Sequence, residues 1–220
     1  DVAETGDTSS QFIAGGFQIG RGTGGNSGSS AYFDGAVRVL ANNDVGANNS
    51  NSLKNFFVSM RGGVLEVDNS GGGSGTFNAS VGTSGAGKVS LGNVSGTTAI
   101  GGGGFSAYGG NVIVDLNTLG TRDTFTWASS GSGFVQNTDS LLLGSQTATA
   151  TVEFYDNIVL NGAVREIRVI DNTGSTTDKA VISGVLSGTG SSGIDKTGAG
   201  TLELATATTH TYAGATTVSA

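Results

Sequence analysis

The chain has no cysteine and no proline, and only one histidine, one tryptophan and one methionine in 220 residues. Without cysteine there is no disulfide framework, no thiol nucleophile and no thiolate-ligated zinc. A single histidine cannot form a histidine cluster around a metal. Charge is also scarce: 12% of residues are Asp, Glu, Lys or Arg, roughly half the usual share of about 25%. The formal net charge of -7 has the wrong sign for nucleic acid or an anionic membrane as partner, because both call for a basic face. No apolar run approaches the ~18 residues of a membrane-spanning helix, so no membrane insertion is expected. No basic leader with an apolar stretch opens the sequence, and a secretion signal is expected to lie outside it.

What is present is small. Gly supplies 40 positions, Thr 27, Ser 26 and Asn 16, about half the chain. Gly costs a helix about 1 kcal/mol relative to Ala, and Ser, Thr and Asn compete for the backbone with their own side chains. Such a composition also suits a linker. However, 20 Val, 9 Ile, 13 Leu and 10 Phe, arranged in short alternating bursts, argue for a folded chain.

Alternation is clear in Val64-Leu65-Glu66-Val67-Asp68, Val112-Ile113-Val114-Asp115-Leu116 and Thr124-Phe125-Thr126-Trp127. It recurs in Ala150-Thr151-Val152-Glu153-Phe154 and in Arg165-Glu166-Ile167-Arg168-Val169-Ile170. Period-two apolar residues next to Thr and charged residues predict short strands with one buried face. Gly, Asn, Ser and Asp fill the corners between them. Residues 51–60 read two ways: Leu53, Phe56, Phe57 and Met60 fit one short helix, or a strand with a buried aromatic pair.

Internal echoes bear on the architecture. Gly85-Ala86-Gly87-Lys88-Val89-Ser90-Leu91 returns as Gly198-Ala199-Gly200-Thr201-Leu202-Glu203-Leu204. Gly35-Ala36-Val37-Arg38 returns as Gly162-Ala163-Val164-Arg165, and Gly62-Gly63-Val64-Leu65-Glu66-Val67 is echoed from Gly109 to Val114. Turn residues followed by apolar alternation, repeated without a strict period, favour a solenoid of stacked rungs. A β-sandwich is the alternative, although it normally places Pro on edges and loops and wants larger core residues. At about 20 residues per rung the solenoid would have roughly ten rungs.

Residues 180–220 read AVISGVLSGTGSSGIDKTGAGTLELATATTHTYAGATTVSA. Through Gly188, Gly190, Lys196, Gly198, Gly200, Thr201, Leu202 and Leu204, then Thr211, Tyr212, Gly214, Thr216, Thr217 and Val218, this segment resembles the autotransporter-associated β-strand repeat of bacterial passenger domains. The stretch from Gln18 to Gly25, Thr124-Phe125-Thr126-Trp127 and Leu141-Leu142-Leu143-Gly144-Ser145 are similar to parts of large surface proteins that carry this repeat. The resemblance implies a right-handed parallel β-helix that is exported and displayed at the cell surface or shed, with a structural or adhesive role. His210 departs from the pattern, standing where the family usually has Asn. The chain also stops at Ser219-Ala220 where the family continues, which suggests one unit of a longer polypeptide or a strand completed by a neighbouring chain.

Catalytic chemistry finds little footing. His210 has no G-x-S-x-G partner motif, and its ordinary reading is an exposed or rung-stacked histidine. Residues 22–25 and 101–104 are glycine runs without the Lys-Ser/Thr pair of a phosphate loop, so they read as corners. Glu66 and Asp68 share a strand face about 7 Å apart, a separation seen in inverting glycosidases, although exposed acid pairs are more often solubilising. Asp123, Asp139, Glu153 and Asp156 are further acids whose convergence sequence does not decide. Calcium is the more natural ion: Asp171-Asn172-Thr173-Gly174 with Asp178 offers oxygen ligands in a turn, without EF-hand or β-roll spacing. Asn48, Asn78 and Asn93 begin N-x-S sequons, of little meaning in a bacterial protein.

The sequence therefore predicts a single β-solenoid over 1–220 with the repeat motif at 180–220, and no enzyme activity or required cofactor. The expected role is a structural subunit of an extracellular bacterial filament, biofilm matrix or surface adhesin. Copies would join end to end, the junction falling near residues 1–17 and 206–220. Two alternatives are a passive stalk and a glycan-binding or polysaccharide-degrading protein using Trp127, Tyr155 or Tyr108 as sugar platforms.

Overall fold

The computed structural model describes residues 57–92, 102–129, 131–136, 139–205 and 209–219, with the backbone of strands at 11–13, 16–20 and 36–40. Residues 51–56, the Arg21 to Gly25 corner, Gly101, Asn48 and Asn93 lie outside the described residues, as do most of 1–17 and also 206–208 and 220.

The chain opens with β1 (Gln11–Ile13), β2 (Gly16–Gly20), β3 (Ala36–Leu40), β4 (Phe57–Arg61) and β5 (Gly63–Asp68). Next come β6 (Thr76–Phe77), β7 (Ser80–Val81), β8 (Lys88–Ser90), β9 (Gly103–Tyr108) and β10 (Val112–Val114). The middle holds β11 (Thr124–Thr126), β12 (Leu141–Leu143), β13 (Val152–Phe154), β14 (Asn157–Val159) and β15 (Val164–Val169). The last six are β16 (Ala180–Ile182), β17 (Leu186–Gly188), β18 (Gly193–Thr197), β19 (Leu202–Leu204), β20 (Thr211–Tyr212) and β21 (Thr216–Val218). Among the described residues there is no helix, and the fold is all-β. Of the two readings of residues 51–60, the described part, from Phe57 onward, is a fully buried strand.

These strands form four sheets. Sheet I has the order β21-β18-β15-β12-β9-β5-β3, sheet II β19-β16-β13-β10-β6 and sheet III β11-β14-β17-β20. Sheet IV, β1-β2-β4-β8-β7, lies at the N-terminal side of the order. Among the described residues every pairing is parallel except the β1–β2 hairpin. Sandwiches are built on antiparallel sheets, so the pairing departs from that alternative. From β9 onward the chain visits sheets I, II and III in the same cyclic order four times before ending on β21.

Register explains the core. In a parallel ladder, paired residues point to the same side, so each inward position forms a column. Leu65, Phe105, Leu143 and Val169 make one column of sheet I. Phe77, Val114, Phe154, Ile182 and Leu204 make one of sheet II. Phe125, Ile158 and Leu186 face them from sheet III. Phe77 and Phe105 pack with ring centroids 5.1 Å apart, and Phe134 lies 5.1 Å from Phe125 and 6.1 Å from Trp127.

The same parity carries Arg165 inward beneath Ile167 and Val169. It is buried, its Nε donates to the Leu160 carbonyl at 2.8 Å, and its guanidinium carbon lies 5.9 Å from the Trp127 ring centroid. Glycines allow neighbouring turns to approach: a Cβ on Gly104 would collide with the Leu142 carbonyl oxygen.

The step between paired residues is not the expected 20. It is 40 residues from Gly63 to Gly103, 26 from Leu141 to Ile167 and 22 from Ile194 to Thr216. The 115–123 corner falls within the 38-residue step from Gly103 to Leu141, and among the described residues sheet I has seven strands where about ten rungs were expected.

Deleting the Phe105 ring removes contacts in two sheets at once. Phe105→Ala is expected to cost about 3–5 kcal/mol of unfolding free energy, read by urea denaturation. A loss below about 1 kcal/mol would mean that the column is not a packed core.

Candidate functional site

Sheets I, II and III all end on the same turn. Among the described residues, strands β19, β20 and β21 are each paired on one side, to β16, β17 and β18. Within β21 the bonds to β18 run through alternate residues: Ile194 N–H donates to Ala215 O at 3.0 Å and Ser219 N–H to Lys196 O at 2.8 Å. Thr216 and Val218 therefore turn their N–H and C=O groups to the open side.

The side chains match this incompleteness. Leu202, Leu204 and Tyr212 pack against the core yet remain partly exposed, and Val218 is 74% exposed. Polar contacts hold the turn to the one beneath it. Thr217 and Ser219 hydroxyls both donate to Asp195 Oδ1 at 2.9 Å. Lys196, with burial lowering its pKa and Asp171 partly offsetting this, donates to the Gly198 carbonyl. Lys179 and Glu203 form an exposed ion pair, of little energetic weight.

His210 completes the turn. It stands one residue before the Thr211–Ser187 pair, and its Nδ1 accepts the Leu186 N–H at 3.0 Å. Its other ring nitrogen is shielded from solvent with no hydrogen-bond partner among the described residues.

The predicted acids are dispersed. Glu66 is 1% exposed and accepts hydrogen bonds from the hydroxyls of Ser106, Ser145 and Thr147, the first at 3.2 Å. Asp68 is also buried and accepts the Ser70 N–H. The pair expected to be solvated or catalytic is thus buried. Asp178 accepts the Asn172 N–H at 2.9 Å, closing the turn that Asp171 begins, and Asn172 donates to Ala148 O. Among the described residues no three His, Cys, Asp or Glu are placed to hold a metal ion. Glu153 accepts from the Ser183 hydroxyl.

Asp123 and Asp156 do converge, joined by Asp115, which the sequence showed only as part of the alternation at 112–116. Asp156 is 0% exposed and accepts the Leu116 N–H at 2.8 Å and the Asp123 N–H at 2.9 Å. Asp115 Oδ2 accepts the Gly120 N–H, while its buried Oδ1 has no partner among the described residues. Asp123 accepts the Thr118 N–H at 2.8 Å. Three carboxylates thus pin the 115–123 corner, in which Asn117 has φ 63° and Gly120 φ 78°. Burial, with repulsion from Asp115 and Asp123, pushes the Asp156 carboxyl up to about 7 against the two N–H bonds that lower it.

The aromatic platforms fare unevenly. Trp127 is 0% exposed and cannot meet a sugar in this conformation. Tyr155 is partly exposed, but the Arg122 guanidinium lies 4.0 Å from its ring centroid. Tyr108 is partly buried. No family model matches the chain, and neither curated proteins nor solved structures gave a significant match.

Because Asp156 titrates near 7 in the fold and near 3.8 when unfolded, its proton favours the native state. That contribution is full below about pH 4 and is lost as pH rises through about 7. Asp115→Asn removes one repelling charge and puts an amide where Oδ1 is orphaned. It is expected to raise stability at pH 8 by about 1 kcal/mol and to flatten the decline between pH 4 and 7. Thermal melts across that range test this, and an unchanged slope would contradict it.

Proposed function

We propose that the chain is a right-handed parallel β-helix and a structural unit of an extracellular bacterial fibre or surface adhesin, copies joining end to end by strand addition. The observation that carries this reading is the stacking of parallel strands in three sheets, β19, β20 and β21 each paired on one side among the described residues. The cyclic visiting of sheets I, II and III supports the solenoid.

A second copy fits the uncovered end on grounds of polarity and sequence. β3 forms the opposite edge of sheet I and runs parallel to its neighbour β5, as β21 does to β18. A copy translated along the stack would lay β3 beside β21 with the polarity the sheet already uses. The Gly-Ala-Val-Arg motif at β3 repeats at β15, which has strands on both sides. Joining one edge to the opposite edge of the next copy is heterologous and open-ended, the geometry of a filament. The edge strand β21, Thr216–Val218, has neither Lys nor Pro to discourage pairing.

Electron microscopy and sedimentation velocity of the expressed unit test the reading. Concentration-dependent filaments are expected. Val218→Pro, which removes an N–H facing the open side and leaves the β18 ladder intact, is expected to abolish them without unfolding the chain. Dispersed rods at every concentration would reject joining and favour a stalk. Filaments that persist in the proline variant would place the junction elsewhere.

A further inference from the structure

The 115–123 corner, away from either end of the stack, encloses a carboxylate oxygen that nothing satisfies. Asp156 Oδ2 takes the Leu116 N–H at 2.8 Å, on the peptide that joins Leu116 to Asp115, so the two carboxyl groups share one corner. Asp156 is 0% exposed and Asp115 3%. Two carboxylates enclosed in one dry corner do not both ionise readily. Asp115 Oδ2 takes the Gly120 N–H, while its Oδ1 is shielded from solvent with no partner among the described residues. A buried acceptor without a donor is destabilising. The donor it lacks is the one that a protonated Asp156 carries.

The other groups around the corner are committed elsewhere. Asn78 Nδ2 donates to the Asp115 backbone carbonyl at 2.6 Å, and residues 76–82 include no titratable side chain. Asn117 Oδ1 accepts the Val81 N–H and Asn157 Oδ1 the Val185 N–H, each at 2.8 Å. Arg122 turns to Tyr155, its guanidinium carbon 4.0 Å from the ring centroid and its Nη1 donating to the Tyr155 carbonyl. Glu153 accepts from the Ser183 hydroxyl, and Ser183, Gly184 and Val185 carry no charge. Asp123 is only partly buried, and its Oδ2 takes the Thr118 N–H. The charges that act on Asp156 are those of Asp115 and Asp123, both negative.

We infer that Asp156 and Asp115 share one proton, the Asp156 O–H donating to Asp115 Oδ1, and that this proton latches the 115–123 corner against β13 and β14. The latch does not depend on whether copies join. The proton leaves one negative charge where two would repel, and Asp156 still accepts the Leu116 and Asp123 amides. When the corner opens, Asp156 meets water and releases the proton, and closing takes one up again. The closed carboxyl titrates at about 7 against an ordinary 3.8, through burial and repulsion from the two acids. Closing is therefore strongest below about pH 4, weakens by up to about tenfold per pH unit as pH rises, and levels off above about pH 7. Arg122 adjoins Asp123, so opening also carries its guanidinium off the Tyr155 ring. The corner is a proton-controlled cover over that aromatic.

Amide hydrogen exchange of the whole chain from pH 4 to pH 8, corrected for the intrinsic pH dependence of exchange, tests this. The Leu116, Gly120 and Asp123 amides, all held by the two carboxyls, are expected to lose protection by up to about tenfold per pH unit until about pH 7 and then hold level. Leu160 and Ile170, whose N–H groups bond Ser187 and Leu143 in the ladders, should not follow. Asp115→Asn removes one charge and puts an amide donor at the orphaned position. It should flatten the fall and raise corner protection at pH 8 about fivefold. Asp123→Asn, which removes the partly exposed acid, should keep most of the fall. A flat wild-type profile, a fall shared equally by Leu160 and Ile170, or an Asp123→Asn profile flatter than that of Asp115→Asn would overturn the latch.

Discussion

Everything in this molecule depends on the parallel backbone ladder between successive turns. A parallel strand has no hairpin partner and must find its neighbour a whole turn away. Each strand's N–H and C=O groups are satisfied only when strands lie on both sides, and the same register aligns side chains into columns. Leu65 over Phe105, or Val114 over Phe154, follows from one backbone pairing. The ladder has no internal stopping rule.

Much of this was legible in the sequence because a strand declares itself locally. The alternation at 64–68, 112–116 and 165–170 fell largely on β5, β10 and β15, whereas Gly103 and Gly104, read as a corner, lie inside β9, where close approach to the Leu142 carbonyl calls for glycine. The step between turns was not legible, since nothing in a corner of Gly, Ser, Thr and Asn distinguishes a tight loop from a wide one. Arg165 shows a second limit. Its parity with Ile167 and Val169 pointed inward all along, but charge argued for solvent, and the acceptors that make burial tolerable, beginning with the Leu160 carbonyl, come from a neighbouring corner.

The candidate site was less legible for the same reason. Glu66 and Asp68 looked like a solvated pair because their shared strand face could be read, but not what would cover it. Ser106 and Ser145, 40 and 79 residues away, supply the hydroxyls that bury Glu66. Asp123 and Asp156 meet only because β11 and β14 are neighbours in sheet III. His210 was visible as a departure from the Asn that the resemblance leads one to expect, though the role of its Nδ1 comes only from the Leu186 N–H on the neighbouring strand.

The unequal length of the turns has a consequence for how the fold forms. Closing a loop costs entropy that grows with the logarithm of its length. The 22-residue step from Ile194 to Thr216 therefore closes at about 0.5 kcal/mol less than the 40-residue step from Gly63 to Gly103. The steps are uneven along the chain, 28 residues from Ala36 to Val64, 38 from Gly103 to Leu141 and 29 from Val164 to Gly193, so loop closure singles out the shortest step as the cheapest without setting one direction of growth.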